Sequence, residues 1–205
     1  AGRDNFLIIE DDYEAEVNHL RRPTPALKSE DREGRVIYVG SLSKSLFPGL
    51  RLGYVVGHPS LIAELRALRG AMLRHPPSMI QEAAARYIRL GYFEAANRRL
   101  RNRNKRRWQL LSGLLPAALP QVRAWPANGG SAFWLEGPSG FDAARFANRL
   151  LQRGVVIEPG APCFEMPQDG GRFFRLGYAA ISSRRIEQGL DIIAEEFRAF
   201  TGAGS

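Results

Sequence analysis

A chain of 205 residues, 44% hydrophobic and 24% charged, has the composition of an ordinary globular protein, with room for one sizeable core or two modest domains. No run approaches the roughly 18 apolar residues of a membrane span, and no signal peptide opens the chain. The single cysteine, Cys163, excludes an internal disulfide and suits a reducing compartment, so the chain is read as cytoplasmic with no membrane partner. The formal net charge of +8 takes its meaning from where the cations sit.

The first element is FLIIEDDY (6–13), an apolar run of strand length ending in acids, which reads as a buried strand. It begins within six residues of Ala1 with nothing before it to pair with or cover it, so the chain is expected to be the carboxy-terminal part of something longer. VIYVGS (36–41) and LGYVVG (52–57) are two more strand patterns. The link between them is too short for a parallel crossover, which predicts an antiparallel pair. Helical patterns follow over 60–69 after Pro59, over 78–90 before Gly91, and over 93–115.

The last of these contains NRRLRNRNKRRW (97–108), with seven Arg or Lys between positions 98 and 107. Leu100, Trp108, Leu111 and Leu115 recur there at helical spacing. A solvated basic helix face and a surface for nucleic acid or phosphate both account for the run. No interleaved aromatic platform accompanies the charge, which favours the solvated face.

After Pro116 the texture changes. VRAW (122–125), AFWLEG (132–137), VVIEPG (155–160) and FFRLGY (173–178) read as strands, alternating with helices at 141–153 and 183–200. The fold class is therefore α/β with a second, smaller α+β unit. The three histidines, His19, His58 and His75, are scattered without metal-ligand spacing.

Candidate chemistry centres on SLSKSLFPGLRLGY (41–54). Lys44 has no acidic neighbour there, and burying an ammonium is costly unless something compensates it. A deprotonated lysine is a nucleophile and can form a Schiff base with a carbonyl cofactor. Ser41, Ser43, Ser45 and Arg51 offer the hydroxyls and fixed cation that a phosphate ester requires. Upstream, Asp11 and Tyr13 stand two apart at a strand end, so both point one way while Asp12 points the other. An aldehyde, a phosphate, a ring nitrogen needing a carboxylate and a phenolic oxygen needing a donor together describe pyridoxal 5′-phosphate.

The stretches IIEDDYEAE, VGSLSKSLFPGLRLGY and FFRLGYAAI resemble fold-type I pyridoxal-phosphate proteins of the class I/II aminotransferase group. They most resemble MocR-type (GntR family) transcriptional regulators, whose effector domain is an aminotransferase fold. The resemblance covers essentially the whole chain. It implies that 1–95 is the carboxy-terminal part of the pyridoxal-phosphate-binding large domain, and that 96–205 is the small α+β domain with its linking long helix.

By the same resemblance, Lys44 forms the internal aldimine, Asp11 pairs with the pyridine nitrogen and Tyr13 bonds the 3′-oxygen. Ser41, Ser43 and Arg51 hold the phosphate, and Arg175 in FFRLGY clamps the carboxylate of an amino-acid ligand. A regulator would sense an amino acid or amine through that pocket, and the full-length protein would be a homodimer binding DNA through an amino-terminal domain outside this chain. The alternative is a fragment of a class I/II aminotransferase moving an amino group from an amino acid to a 2-oxo acid. The shorter Asp11-Asp12-Tyr13 spacing favours the regulator. The resemblance also implies that part of the cofactor site lies outside these 205 residues, so the isolated chain is expected to be inactive.

Overall fold

The computed structural model describes residues 5–12, 25–43, 46, 48–125 and 129–202. The chain divides into two compact units, Ala1–Arg101 and Asn102–Ser205. Its architecture is α/β, with a three-stranded mixed sheet in the first unit and a four-stranded antiparallel sheet in the second.

In the first unit, strands β1 (Ile8–Asp12), β2 (Val36–Ser41) and β3 (Gly53–Val56) lie in that order. β1 runs parallel to β2, with Asp11 level with Val39; β2 and β3 are antiparallel, with Ser41 level with Gly53. The short connection thus forces the antiparallel pair the sequence predicts. β1, expected to be buried, is instead an edge strand with one open face, and Ile9 is 70% exposed. Among the described residues it pairs on one side only, and nothing covers the Ile9 face.

Helix α1 (Leu27–Glu30) has no sequence signature, because its cap comes from another element. The Glu10 carboxylate on β1 accepts from the backbone N–H groups of Leu27 and Lys28 at 2.8 and 2.9 Å, satisfying donors that a helix start leaves open. Asp31 then ties the helix to β2. It accepts from the Lys28 ammonium (2.8 Å) and from the backbone of Val36 (2.9 Å), Arg35 (3.0 Å) and Glu33 (3.2 Å).

Helix α2 (Pro59–Leu73) starts on Pro59, where the missing N–H costs nothing, and runs past Arg69 through Gly70. Helix α3 (Ser78–Arg89) stops at Gly91, whose φ of 74° is the left-handed stop that glycine supplies readily.

Helix α4 (Tyr92–Ala118) does not end at Leu115 as expected; it continues through Pro116. Proline there removes one backbone bond in the last turns. Leu111, Leu115 and Leu119 are all buried on one stripe, and the Leu119 N–H still reaches the Leu115 carbonyl at 2.9 Å. Burial of that stripe offsets the missing bond.

The second sheet has the order β4 (Arg123–Ala124), β5 (Ala132–Glu136), β7 (Phe173–Gly177), β6 (Glu158–Pro159). The strand expected over 155–160 shrinks to two residues, because only Glu158 and Pro159 find register on β7. Phe133, Leu135, Phe174 and Leu176 form the inner face, under α5 (Ala143–Gln152) and α6 (Ser183–Gly202). Phe146 on α5 is fully buried among Phe141, Phe174, Phe197 and Phe200; a ring in such a site is worth about 3–5 kcal/mol. Asp142 caps α5 by accepting from the Arg145 N–H at 2.9 Å.

Candidate functional site

The register of the first sheet sorts its side chains onto two faces. Ile8, Glu10 and Asp12 share one face with Val36, Tyr38, Gly40, Tyr54 and Val56. Ile9 and Asp11 share the other with Ile37, Val39, Ser41, Gly53 and Val55. The two adjacent acids are therefore separated by the strand itself.

Asp12 is committed. The Tyr38 hydroxyl donates to its Oδ2 at 3.0 Å, and the Tyr38 ring lies 6.0 Å from that of Tyr54. Burial, then the bonds to Asp12 and Tyr54, hold the Tyr38 phenol well above its ordinary range, so it remains a donor. Asp11 is exposed on the opposite face, and among the described residues no hydrogen bond reaches it. Gly40 makes the Tyr54 packing possible, since a Cβ there would stand 2.3 Å from Tyr54 Cζ.

Ser41 ends β2 on the Asp11 face, and its Oγ accepts from the Ser43 N–H at 3.2 Å. Its own O–H therefore stays available to donate to another group. The Leu42 N–H donates to the Leu52 carbonyl at 2.9 Å, and the Leu46 N–H to the Leu42 carbonyl at 3.0 Å, which closes the start of the 41–54 stretch on itself. Arg51 is exposed and has φ of 49°, a left-handed backbone that a non-glycine residue adopts at a cost. It directly precedes Leu52, so the strained residue sits where the loop is pinned. Asp11, Ser41 and Ser43 thus lie at the carboxyl ends of β1 and β2, and Arg51 lies two residues before β3, whose first residue is level with Ser41. Lys44 and Tyr13 lie outside the described residues.

Arg175 lies in the second unit, on β7, opposite Trp134 of β5 and Glu158 of β6. Its Nη1 donates to both Glu158 oxygens at 2.7 and 2.9 Å, and its Nη2 to Ser131 Oγ at 3.1 Å. Ser131 is placed by Tyr178, whose hydroxyl donates to the Gly130 carbonyl at 2.7 Å and whose N–H donates to the Ser131 carbonyl at 2.9 Å. Sequence reading did not find Glu158, Ser131 or Tyr178 as companions of Arg175. They stand 17, 44 and 3 residues away from it, and only the pairing of β5, β6 and β7 makes them neighbours.

Among the described residues no cluster of metal-ligating side chains occurs, and no helix is long and apolar enough to cross a membrane.

The family model described as Aminotransferase class I and II matches residues 6–193. The chain belongs to the class I and II aminotransferase family. Within that family it is similar to the HTH-type transcriptional regulator TauR of Rhodobacter capsulatus, 41% identical over 194 residues, covering 95% of this chain and 40% of TauR. It is also similar to the probable rhizopine catabolism regulatory protein MocR of Rhizobium meliloti, at 30% identity over 99% of this chain and 41% of that protein.

Among solved aminotransferase structures, the multiple substrate aminotransferase of Thermococcus profundus superposes with a TM-score of 0.92 at 28% identity, covering 99% of this chain and 50% of that one. The alpha-aminoadipate aminotransferase LysN of Thermus thermophilus, solved with N-(5′-phosphopyridoxyl)-L-leucine, gives 0.91 at 27% identity, covering 98% and 52%. The chain spans about half the length, or less, of these relatives. Its two sheets and helices are thus part of a fold-type I aminotransferase architecture, present both in regulators and in enzymes.

Proposed function

We propose that this chain is the aminotransferase-like effector domain of a MocR-type regulator that holds pyridoxal 5′-phosphate and senses an amino acid or amine. The observation that carries the reading is the division of labour between two adjacent acids. Asp12 is held by Tyr38, while Asp11 stays uncommitted among the described residues, on the face and at the strand end that Ser41 shares. The likeness to TauR over nearly the whole chain supports the regulator over the enzyme.

The donor set fits the cofactor. A carboxylate at Asp11 suits a protonated ring nitrogen, and the O–H groups of Ser41 and Ser43 with the permanent cation of Arg51 suit a phosphate ester. Tyr13 would supply the phenol for the ring oxygen, and Lys44 the amine that would hold the cofactor. When bound, the cofactor supplies an electron sink and a carbonyl that an incoming amine can capture.

The protein's own contribution is positional and electrostatic. Asp11 would place its carboxylate where a ring proton must be held. The Ser41 oxygen accepts from the Ser43 N–H, and its O–H can donate to the phosphate. Lys44 would hold the cofactor and, when its amine is free, would serve as the base at the site. Arg175 receives the ligand's carboxylate. The intact regulator then works in the cytoplasm as a homodimer, its DNA contacts made by a separate helix-turn-helix domain and biased by whichever state the ligand favours.

A class I/II aminotransferase is the second reading, supported by the superposition on the Thermococcus profundus enzyme. The test takes the intact protein with pyridoxal 5′-phosphate. A new visible absorbance band is expected, it should shift on adding an amino compound, and Lys44→Ala should abolish it. Persistence of the band in Lys44→Ala overturns the assignment. Steady turnover of an amino acid with a 2-oxo acid would transfer the reading from regulator to enzyme.

A further inference from the structure

The guanidinium of Arg175 is held from two sides by partners of different character. Ser131 is a structural partner. It belongs to a loop whose Gly130 and Ser131 carbonyls are both fixed by the fully buried Tyr178. Glu158 is a displaceable partner. Its side chain is 65% exposed, against 35% for Arg175, and it sits on β6, an edge strand of two residues.

Nη1 donates to the two Glu158 oxygens, and Nη2 donates to Ser131. A guanidinium has five N–H donors, more than these contacts use, so part of its donor capacity remains uncommitted among the described residues. A carboxylate accepts best from two guanidinium donors at once. An incoming carboxylate must therefore either displace Glu158 from Nη1 or dock on the remaining donors beside an existing negative charge. Both routes are opposed by Glu158, and neither opposes a ligand without a carboxylate.

We infer that Glu158 is a specificity-determining residue: an internal carboxylate that occupies Arg175 and weakens binding of carboxylate-bearing amino compounds relative to simple amines. The inference rests on the proposed role of Arg175 as the ligand's carboxylate receptor. Because the pair is solvent-exposed, the effect is modest and is screened by salt.

The test uses the intact protein loaded with pyridoxal 5′-phosphate. The probes are L-leucine and 3-methylbutylamine, which share a side chain and differ by the carboxylate. Binding is followed by the cofactor's absorbance and by tryptophan fluorescence, since Trp134 stands opposite Arg175 on the neighbouring strand. Glu158→Gln keeps the side chain's shape and removes its charge.

It should tighten L-leucine about two- to fivefold at low salt. The gain should shrink as ionic strength rises, and 3-methylbutylamine should be unaffected. Arg175→Gln should weaken L-leucine whether or not Glu158 is present. If Arg175→Gln weakens L-leucine but Glu158→Gln leaves it unchanged or weaker, Glu158 is only a cross-strand tie and the inference fails while the receptor role of Arg175 stands. If Arg175→Gln leaves L-leucine binding intact, the receptor role itself fails. A protein that responds to neither probe overturns both.

Discussion

Removing one oxygen from Tyr178 tests how the Arg175 site is supported. The ring is fully buried and lies 5.6 Å from the Phe133 ring, and the hydroxyl donates to the Gly130 carbonyl at 2.7 Å. Tyr178→Phe keeps the apolar contacts and deletes that bond, leaving the carbonyl without this donor. An ordinary hydrogen bond contributes about 0.5–1.5 kcal/mol net, and a stranded buried acceptor costs about 1–3 kcal/mol. Gly130 is partly exposed, so water can reach its carbonyl, and the loss belongs in the lower range, about 1–2 kcal/mol.

With a urea dependence of about 2 kcal/mol per molar for a unit of this size, the midpoint should fall by about 0.5–1 M. Trp108, Trp125 and Trp134 are all the tryptophans in the chain and all lie in the second unit, so their fluorescence reports that unit alone. Hydrogen exchange over 129–132 should speed up in parallel, because the loop loses its anchor. An unchanged midpoint with unchanged exchange would refute the idea that Tyr178 fixes the Ser131 loop. A loss far above 3 kcal/mol would show that the ring itself had moved.

Two further outcomes concern the first unit. The Lys28 ammonium, and after it the Val36 amide, hold the Asp31 carboxyl well below the usual carboxylate range. Its stabilisation is therefore complete above the ordinary carboxylate pKa near 4 and disappears as pH falls towards the lower folded value. Hydrogen exchange at Val36 should show protection that wild type loses between about pH 5 and pH 2, whereas Asp31→Asn should be weakly protected throughout; equal acid profiles for both proteins would rule the linkage out. Gly40→Ala would push a methyl to 2.3 Å from Tyr54 Cζ and should cost about 1–2 kcal/mol by far-UV circular dichroism. Tyr54→Ala should recover most of that cost, and strictly additive losses would dispose of the clash.

Much of the first unit is legible without coordinates. The short link between β2 and β3 leaves only an antiparallel pairing, and the alternation of a strand separates Asp11 from Asp12. Both follow from local geometry, which sequence spacing encodes directly. The extent of α4 is less legible. Pro116 reads as a stop, and only the burial of Leu111, Leu115 and Leu119 explains why the helix runs on.

The site divides the same way. The residue types in 41–54, with Asp11 and Tyr13 upstream, point to the family from sequence alone. What holds Asp12, and what occupies Arg175, came from tertiary structure. Asp12 is claimed by Tyr38, 26 residues away, and Arg175 by Glu158 and Ser131, 17 and 44 residues away. A strand's own sequence fixes which way each side chain points, but the partner that meets it is set by which strand pairs alongside and in what register.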